Sequence, residues 1–209
     1  MDTKVIKDGK LDYAASVIMS GGVVAVPTET IYGLAANGLD TAAVEKIYEA
    51  KGRPENKPIS LFVSDMKNAE MFCTDIPEGA YKLADRFWPG PLTMVLRRRE
   101  NVPDIITSGG ETVGVRCPDN DLTLKLLKMC GVPLTGTSAN LSGQPNANDI
   151  DEVMAYFDGK IECAVDGGKC TGGIPSTVLD MTCVPPKILR RGGVPKELLE
   201  DVLEMTIEG

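Results

Sequence analysis

The chain has 209 residues, of which 43% are hydrophobic and 25% are charged, so it is long enough and apolar enough for an ordinary globular core. Its formal charge of −8 argues against a broad nucleic-acid-binding face, which needs clustered Lys and Arg, but allows a local positive cleft. Histidine is absent, which excludes a Ser-His-Asp or Cys-His catalytic centre and any zinc site that uses imidazole.

The sequence also bears on the cellular compartment. No apolar run is long enough to span a bilayer, and residues 1–4 lack the pattern of a signal peptide. The cysteines are scattered and form no CxxC pair, which favours reduced, mostly buried thiols. We therefore expect a cytoplasmic protein with no membrane partner.

The first fifty residues predict a helix, a buried strand and a second helix. Residues 10–20 have the apolar spacing of an amphipathic helix, and Gly21-Gly22 ends it. Val23–Val26 is β-branched and apolar, which predicts a buried strand. Asp40 is predicted to cap a helix that extends to about residue 51.

Strands and helices alternate through the rest of the chain. The predicted strands lie near 58–63, 91–97, 112–116, 132–136, 161–166, 176–181 and 187–190. The predicted helices lie near 77–87, 120–130, from Asn148 or Asp149 to Phe157, and from Pro195 onward. We expect one α/β domain over 1–209, with a core of about 10–194 and a C-terminal helical tail at 195–209. Because several connections lack helices, the central twisted sheet should be mixed and flanked by helices.

A basic segment follows the helix that begins at Asp40. A lysine at a helix end with a glycine stop explains Lys51 and Gly52 as structural residues. It does not explain Arg53 and Lys57, which follow the stop, so a triphosphate clamp is the functional alternative. In that interpretation Lys51 and Arg53 face solvent or ligand.

Further polar segments end or begin predicted strands, and each has a structural alternative. The loop Thr137–Gly143 offers small donors to a phosphate or ribose, although its spacing alone favours a turn bonded to its own backbone. Arg116 needs an anionic partner if it is buried, either a ligand or a carboxylate of the protein. Arg190 could meet phosphates or solvent, and Arg97–Arg99 predicts an exposed basic hairpin.

Taken together in their order and spacing, these segments resemble the YrdC family of threonylcarbamoyl-AMP synthases from about Val23 to Val194. The resemblance rests on the KxR and SxN signature, here Lys51/Arg53 and Ser138/Asn140. The segments PTETIYGL, PGPLT, VGVRCP, TSANLSG and PSTV strengthen it. The resemblance implies a YrdC-like fold with a positively charged concave cleft. Longer members carry a second C-terminal domain, and we expect one YrdC-like domain here.

The resemblance also implies a reaction and its partners. L-threonine, bicarbonate and ATP give threonylcarbamoyl-AMP and pyrophosphate, the first step of threonylcarbamoyladenosine formation at adenosine 37 of tRNAs reading codons that begin with A. Mg²⁺ would arrive with ATP rather than through a protein metal motif. Separate transfer proteins would act on tRNA, with no tight direct tRNA binding by this chain. The competing interpretations are an RNA-binding module, a carbamoyl-transfer enzyme and a non-synthase branch of the fold.

The site residues follow from the same resemblance. It places Thr28, Thr30, Tyr32, Arg116 and Ser176 around L-threonine. It places Lys51, Arg53, Lys57, Thr112, Ser138, Asn140, Asn146 and Arg190 around ATP. Lys51 and Arg53 are the implied catalytic residues, and Phe62 falls at a threonine-pocket position.

Overall fold

A computed structural model describes residues 2–7 and 10–209, so the predicted domain includes residues 1, 8 and 9, which lie outside the described residues. The strands are β1 (Lys4–Ile6), β2 (Val24–Val26), β3 (Gly33–Ala35), β4 (Ser60–Phe62), β5 (Cys73–Thr74), β6 (Leu92–Arg98), β7 (Thr112–Arg116), β8 (Leu134–Ser138), β9 (Cys163–Val165), β10 (Thr177–Asp180) and β11 (Lys187–Arg190). The helices are α1 (Asp12–Met19), α2 (Thr41–Lys51), α3 (Met66–Ala69), α4 (Glu78–Phe87), α5 (Asp104–Thr107), α6 (Asp121–Cys130), α7 (Ile150–Phe157) and α8 (Lys196–Leu203).

The strands form one mixed sheet, which confirms the predicted fold class. Their order is β1-β9-β2-β3-β8-β4-β7-β6-β10-β11, and β5 pairs with β6 outside that path. Neighbours β4 and β7 are parallel, as are β6 and β10, whereas β4–β8 and β6–β7 are antiparallel. Strands that are distant in sequence therefore lie side by side, and the loops around the candidate site come from both halves of the chain.

Local sequence explains where the helices next to the site begin and end. Asp40 caps α2 by accepting hydrogen bonds from the amides of Ala42 and Ala43, at 3.0 and 3.3 Å. Gly52 ends the same helix with φ of 56°, a left-handed conformation that glycine adopts without strain. The stop turns the chain sharply, so that Arg53 leaves the helix axis toward the ends of the strands.

The apolar core lies on both faces of the sheet. Alternation along β4 sends Leu61 to one apolar cluster and Phe62 to the other, as period-2 geometry requires. Apolar residues of α1 and α6 pack in the same cluster as Phe62. Five of the six cysteines are buried and all six are free thiols, in agreement with the predicted pattern. Among the described residues, no helix has the length and apolarity needed to cross a membrane.

Three sequence predictions need correction. Strand β8 ends at Ser138 rather than near residue 136, so part of the predicted loop is strand. The C-terminal tail is helical only to Leu203, and Glu208 then pairs with the sheet edge, accepting from the amide of Ile188 at 2.8 Å. The basic run at the end of β6 is exposed at Arg97 and Arg99, as predicted, but Arg98 is half-buried and pairs with Asp104 at 2.6 Å.

The short elements β1, β3, β5, α3 and α5 were not predicted. Each has two to four residues, which is too few to display a helical or strand period. Strand β3 matters most, because it joins β2 to β8 and carries residues of the PTETIYGL motif into the sheet.

Candidate functional site

A concave cleft of about 340 Å³ lies over one face of the sheet. Its floor consists of alternate residues from five neighbouring strands, since only every second side chain of a strand points to a given face. These floor residues are Gly136 and Ser138 on β8, Ser60 and Phe62 on β4, Thr112, Gly114 and Arg116 on β7, Thr93 and Val95 on β6, and Val178 on β10. A second groove of about 680 Å³ lies beside α2 and includes Lys51.

Most of the residues predicted for the site meet in this cleft. Its lining includes Thr28, Thr30, Tyr32, Arg53, Thr112, Arg116, Ser138, Asn146, Ser176 and Arg190, together with Phe62. Three predicted residues, Lys51, Lys57 and Asn140, do not belong to that lining. The charged side chains of the lining are all arginines, and the predicted positive charge of the cleft stays a prediction.

Arg116 is buried at the end of β7, and its partner is a carboxylate of the protein. Its side chain bonds to Glu29 Oε1 at 2.7 Å, to Thr30 Oγ1 at 3.0 Å and to the carbonyl of Gly90 at 3.1 Å. Glu29 also accepts from the amide of Asp119 at 3.1 Å. A buried guanidinium needs such a partner, so Glu29 fixes the position and charge of Arg116. Sequence reasoning considered the threonines of PTET and missed this glutamate.

Two pairs of hydroxyl groups approach each other at the cleft. The oxygens of Thr28 and Thr30 are 2.8 Å apart, and those of Thr93 and Ser176 are also 2.8 Å apart. Arg190 donates to Ser176 Oγ at 3.1 Å and to its carbonyl at 2.9 Å, which ties β11 to the start of β10. Thr93 was not predicted; its signal was its place on the cleft-facing side of a recognised strand.

Burial shapes the ionisation of the cleft arginines. It lowers the pKa of Arg190, and the positive charges of Arg116 and Arg53 lower it further. Burial likewise lowers the pKa of Arg53, whose side chain donates to the carbonyls of Lys57 at 3.1 Å and Pro58 at 2.9 Å. Three guanidinium groups held this close together favour an anionic ligand between them.

Tyr32 does not present its hydroxyl to the cleft. The side chain is fully buried, and its hydroxyl donates to the carbonyl of Gly168 at 2.8 Å and accepts from the amide of Gly167 at 3.0 Å. Burial raises the pKa of Tyr32 to about 12. Tyr32 therefore anchors the loop after β9 with its hydroxyl, while the residue also belongs to the lining of the cleft.

Lys51 was expected to face solvent or ligand, and that expectation is wrong. The residue is the last of α2 and is 2% exposed. Its ammonium donates to the carbonyl of Ser138, to the carbonyl of Asn140 at 2.7 Å and to Asn140 Oδ1 at 3.4 Å. All three acceptors are neutral, and burial, followed by the charge of Arg53, lowers the pKa of Lys51 to about 7. Lys51 thus fastens the loop after β8 to α2.

Ser138 and Asn140 bond mainly within their own loop, as the structural alternative proposed. Ser138 Oγ donates to Asn140 Oδ1, and the side-chain Nδ2 of Asn140 donates to the carbonyl of Gln144, both at 2.5 Å. The KxR and SxN signature therefore divides into two roles. Lys51 and Asn140 hold the loop, whereas Arg53 and Ser138 lie in the lining of the cleft.

A protein-held metal is not indicated by the donor groups. Within residues 2–7 and 10–209, no group of three or more acidic, cysteine or histidine side chains could hold a metal ion. The donors that line the cleft are guanidinium, hydroxyl and amide groups, which suit anions better than cations.

Comparisons with known proteins show which family the sequence of this chain matches. The Sua5/YciO/YrdC family model, whose description is telomere recombination, matches residues 16–192. A Pyrococcus abyssi protein named threonylcarbamoyl-AMP synthase is 47% identical over 95% of this chain and 58% of its own length. A Bacillus subtilis protein of the same name is 43% identical over 94% of this chain and 57% of its own.

A solved structure also resembles this chain over nearly its whole length. The structure described as P. abyssi Sua5 complexed with L-threonine has a TM-score of 0.93 and 45% identity, covering 99% of this chain and 62% of that one. The chain thus spans about three fifths of the length of these relatives.

Proposed function

The chain belongs to the Sua5/YciO/YrdC family, and we propose that it is a threonylcarbamoyl-AMP synthase, a nucleotidyltransferase. It joins L-threonine, bicarbonate and ATP into threonylcarbamoyl-AMP and releases pyrophosphate. The observation that carries the proposal is the convergence of Arg53, Arg116 and Arg190 with hydroxyl and amide donors in one cleft. Relatives that match nearly the whole chain bear the synthase name, which supports the same reaction.

The amino-acid half of the cleft lies around Arg116. In the proposal, its guanidinium attracts the threonine carboxylate while Glu29 keeps the side chain in place. The hydroxyl groups of Thr30 and Ser176 lie in the same lining and provide donors or acceptors for the substrate hydroxyl. A site built to bond a hydroxyl rejects analogues that lack it, because its own polar groups would stay unpaired.

The nucleotide half uses the remaining cations and donors. Arg53 and Arg190 offset phosphate charge, and Thr112, Ser138 and Asn146 supply neutral hydrogen bonds. Lys57 is exposed outside the lining, so its ammonium would meet ATP from the rim. Mg²⁺ would arrive with ATP and would neutralise part of the phosphate charge, with no residue of the lining holding it. Lys51 and Asn140 act indirectly in this scheme, by holding the loop that carries Ser138.

The chemistry needs alignment of reactants more than a side-chain nucleophile. The neutral amine of threonine bonds to the bicarbonate carbon, water leaves, and a carbamate oxygen bonds to the α-phosphorus. The bond between the α-phosphorus and the bridging oxygen breaks, and pyrophosphate carries away that electron pair. Fixed guanidinium and hydroxyl groups favour this sequence by orienting the reactants and by stabilising negative charge as it moves.

The product serves a later reaction on tRNA, carried out in this proposal by separate transfer proteins. A net charge of −8, with the cleft arginines engaged by a nucleotide, leaves few cations for tRNA phosphates. We therefore propose no tight direct tRNA binding. We also propose a soluble, cytoplasmic site of action.

Pyrophosphate release tests the function directly. Release is expected only when ATP, bicarbonate and L-threonine are all present, and valine in place of threonine should give little. Equal release with valine would overturn the threonine assignment. Arg53→Ala should reduce turnover at least about tenfold, because it removes a charge-assisted contact. Arg97→Ala is the matched control, since Arg97 is exposed and outside the cleft lining.

A further inference from the structure

Ser60 places an unengaged hydroxyl in the cleft floor, on the strand between β8 and β7. The hydroxyls of Thr28, Thr30, Thr93, Ser138 and Ser176 have hydrogen-bond partners in the protein, whereas those of Thr112 and Thr137 have none among the described residues. Ser60 Oγ has none among residues 2–7 and 10–209, although it lines the cleft and is partly exposed there. A hydroxyl with free donor and acceptor capacity in a polar cleft is suited to a ligand.

The position of this hydroxyl is set by a glycine on the neighbouring strand. A Cβ atom added to Gly114 would lie 2.6 Å from Ser60 Oγ, so the hydroxyl occupies the space directly above Gly114. On the other side, β4 and β8 are paired with Ser60 opposite Gly136. Both neighbouring residues lack side chains. Ser60 Oγ occupies the space beside Gly114 and the ring of Phe62 occupies the space beside Gly136, so the floor here presents the Ser60 hydroxyl and the Phe62 ring to a ligand.

The position of Ser60 Oγ, above Gly114, lies between the two halves of the cleft. Thr112, Gly114 and Arg116 follow one another on the same face of β7, about 7 Å apart. Thr112 belongs to the proposed nucleotide half and Arg116 to the proposed amino-acid half. The position above Gly114 lies between them, where an atom joining the two substrates must be held.

We propose that Ser60 binds bicarbonate and the carbamate formed from it, donating its hydroxyl hydrogen to a carboxylate oxygen. The assignment rests on the proposed synthase function and names a residue for the third substrate. Bicarbonate loses an oxygen as water when the amine nitrogen bonds to its carbon. The retained oxygens stay within reach of Ser60 while one of them bonds to the α-phosphorus and pyrophosphate leaves. Ser60 is an orienting donor in this step and neither gains nor loses its proton.

Ser60→Ala tests the assignment with little structural change, because it removes the oxygen and keeps Cβ. Initial rates of pyrophosphate release are measured in buffer freed of carbon dioxide, with each substrate varied in turn. We expect the KM for bicarbonate to rise about tenfold, the effect of losing a hydrogen bond to a charged group. The KM values for L-threonine and ATP should change less than about twofold. Ser64→Ala, just beyond β4 and outside the lining, is the matched control and should behave as wild type.

Gly114→Ala provides a second, independent variant. Its methyl group would displace Ser60 Oγ, so the KM for bicarbonate should rise in the wild-type background. In the Ser60→Ala background the same substitution should add less, since the oxygen at 2.6 Å is gone and the remaining neighbours, Ser60 Cβ and Thr93 Cγ2, lie at 3.3 Å. An unchanged bicarbonate KM in Ser60→Ala, with an active wild-type chain, overturns the Ser60 assignment alone. A wild-type chain that releases no pyrophosphate overturns the synthase proposal as well.

Discussion

Gly136→Ala is expected to destabilise the chain because the ring of Phe62 occupies the space of its missing side chain. A Cβ atom at residue 136 would lie 2.7 Å from Cε1, 2.8 Å from Cδ1 and 3.1 Å from Cζ of that ring. Phe62 is only 4% exposed, so its ring has little open space into which to move. The substitution therefore forces either the ring or the backbone of β8 to move.

The magnitude follows from two opposing effects. Overpacking a buried site costs about 1–3 kcal/mol of the free energy of unfolding. Replacing glycine by alanine also restricts the unfolded chain, which returns about 0.4–1 kcal/mol where the backbone permits alanine. Gly136 is not among the glycines with positive φ, so this gain applies. The net loss should be about 1–2 kcal/mol, or a fall in Tm of about 2–8 °C for a chain of this size.

A double-mutant cycle with Phe62→Val isolates the cause. Valine lacks Cδ1, Cε1 and Cζ, the atoms that meet the new methyl group, and its β-branched side chain suits a strand. In that background Gly136→Ala should be neutral or slightly stabilising in denaturant unfolding, which gives a coupling of about 1–3 kcal/mol between the two positions. Equal loss in both backgrounds would refute the steric explanation.

Two other contacts give further predictions. Glu29→Gln should raise the KM for L-threonine by about tenfold or more and leave the KM for ATP nearly unchanged, because Arg116 loses its carboxylate partner; equal rises in both values would contradict a local positioning role. Burial lowers the pKa of Lys51 from its ordinary value of 10.5 to about 7. At a pH between these two pKa values, the unfolded chain therefore binds a proton that the folded chain has lost. The free energy of unfolding of wild type should therefore rise with pH in this window relative to Lys51→Met, and parallel pH profiles of the two chains would contradict that reasoning.

The parts of the fold that the sequence predicted are those with a clear local pattern. Strands 112–116 and 187–190 match β7 and β11 to the residue, and Asp40 caps α2 as expected. Strand β7 contains three β-branched residues and α2 has a capping side chain, and both signals act over a few residues. Which strands would be neighbours was beyond such signals, because β4 lies between β7 and β8 through connections of more than forty residues.

The site shows the same division between local and non-local information. Motif resemblance identified side chains that meet in the cleft, including Arg53 and Arg190 from opposite ends of the chain. It misjudged the orientation of Lys51, because the burial of this side chain depends on the loop after β8 that packs against it. A long polar side chain after a helix or strand has no local signal that separates a ligand contact from a contact with a distant loop.

The depth of the cleft depends on side chains that are absent. Gly114 and Gly136 lie in the floor on either side of Ser60, and the side chains of β4 lean over both of them. A search of the sequence for donors and cations favours Arg, Ser and Thr and gives glycines inside strands no weight, although such glycines often mark the close approach of a ligand or another backbone. A side chain at Gly114 would collide with Ser60 Oγ, so the floor between Thr112 and Arg116 could no longer present that hydroxyl in its present place.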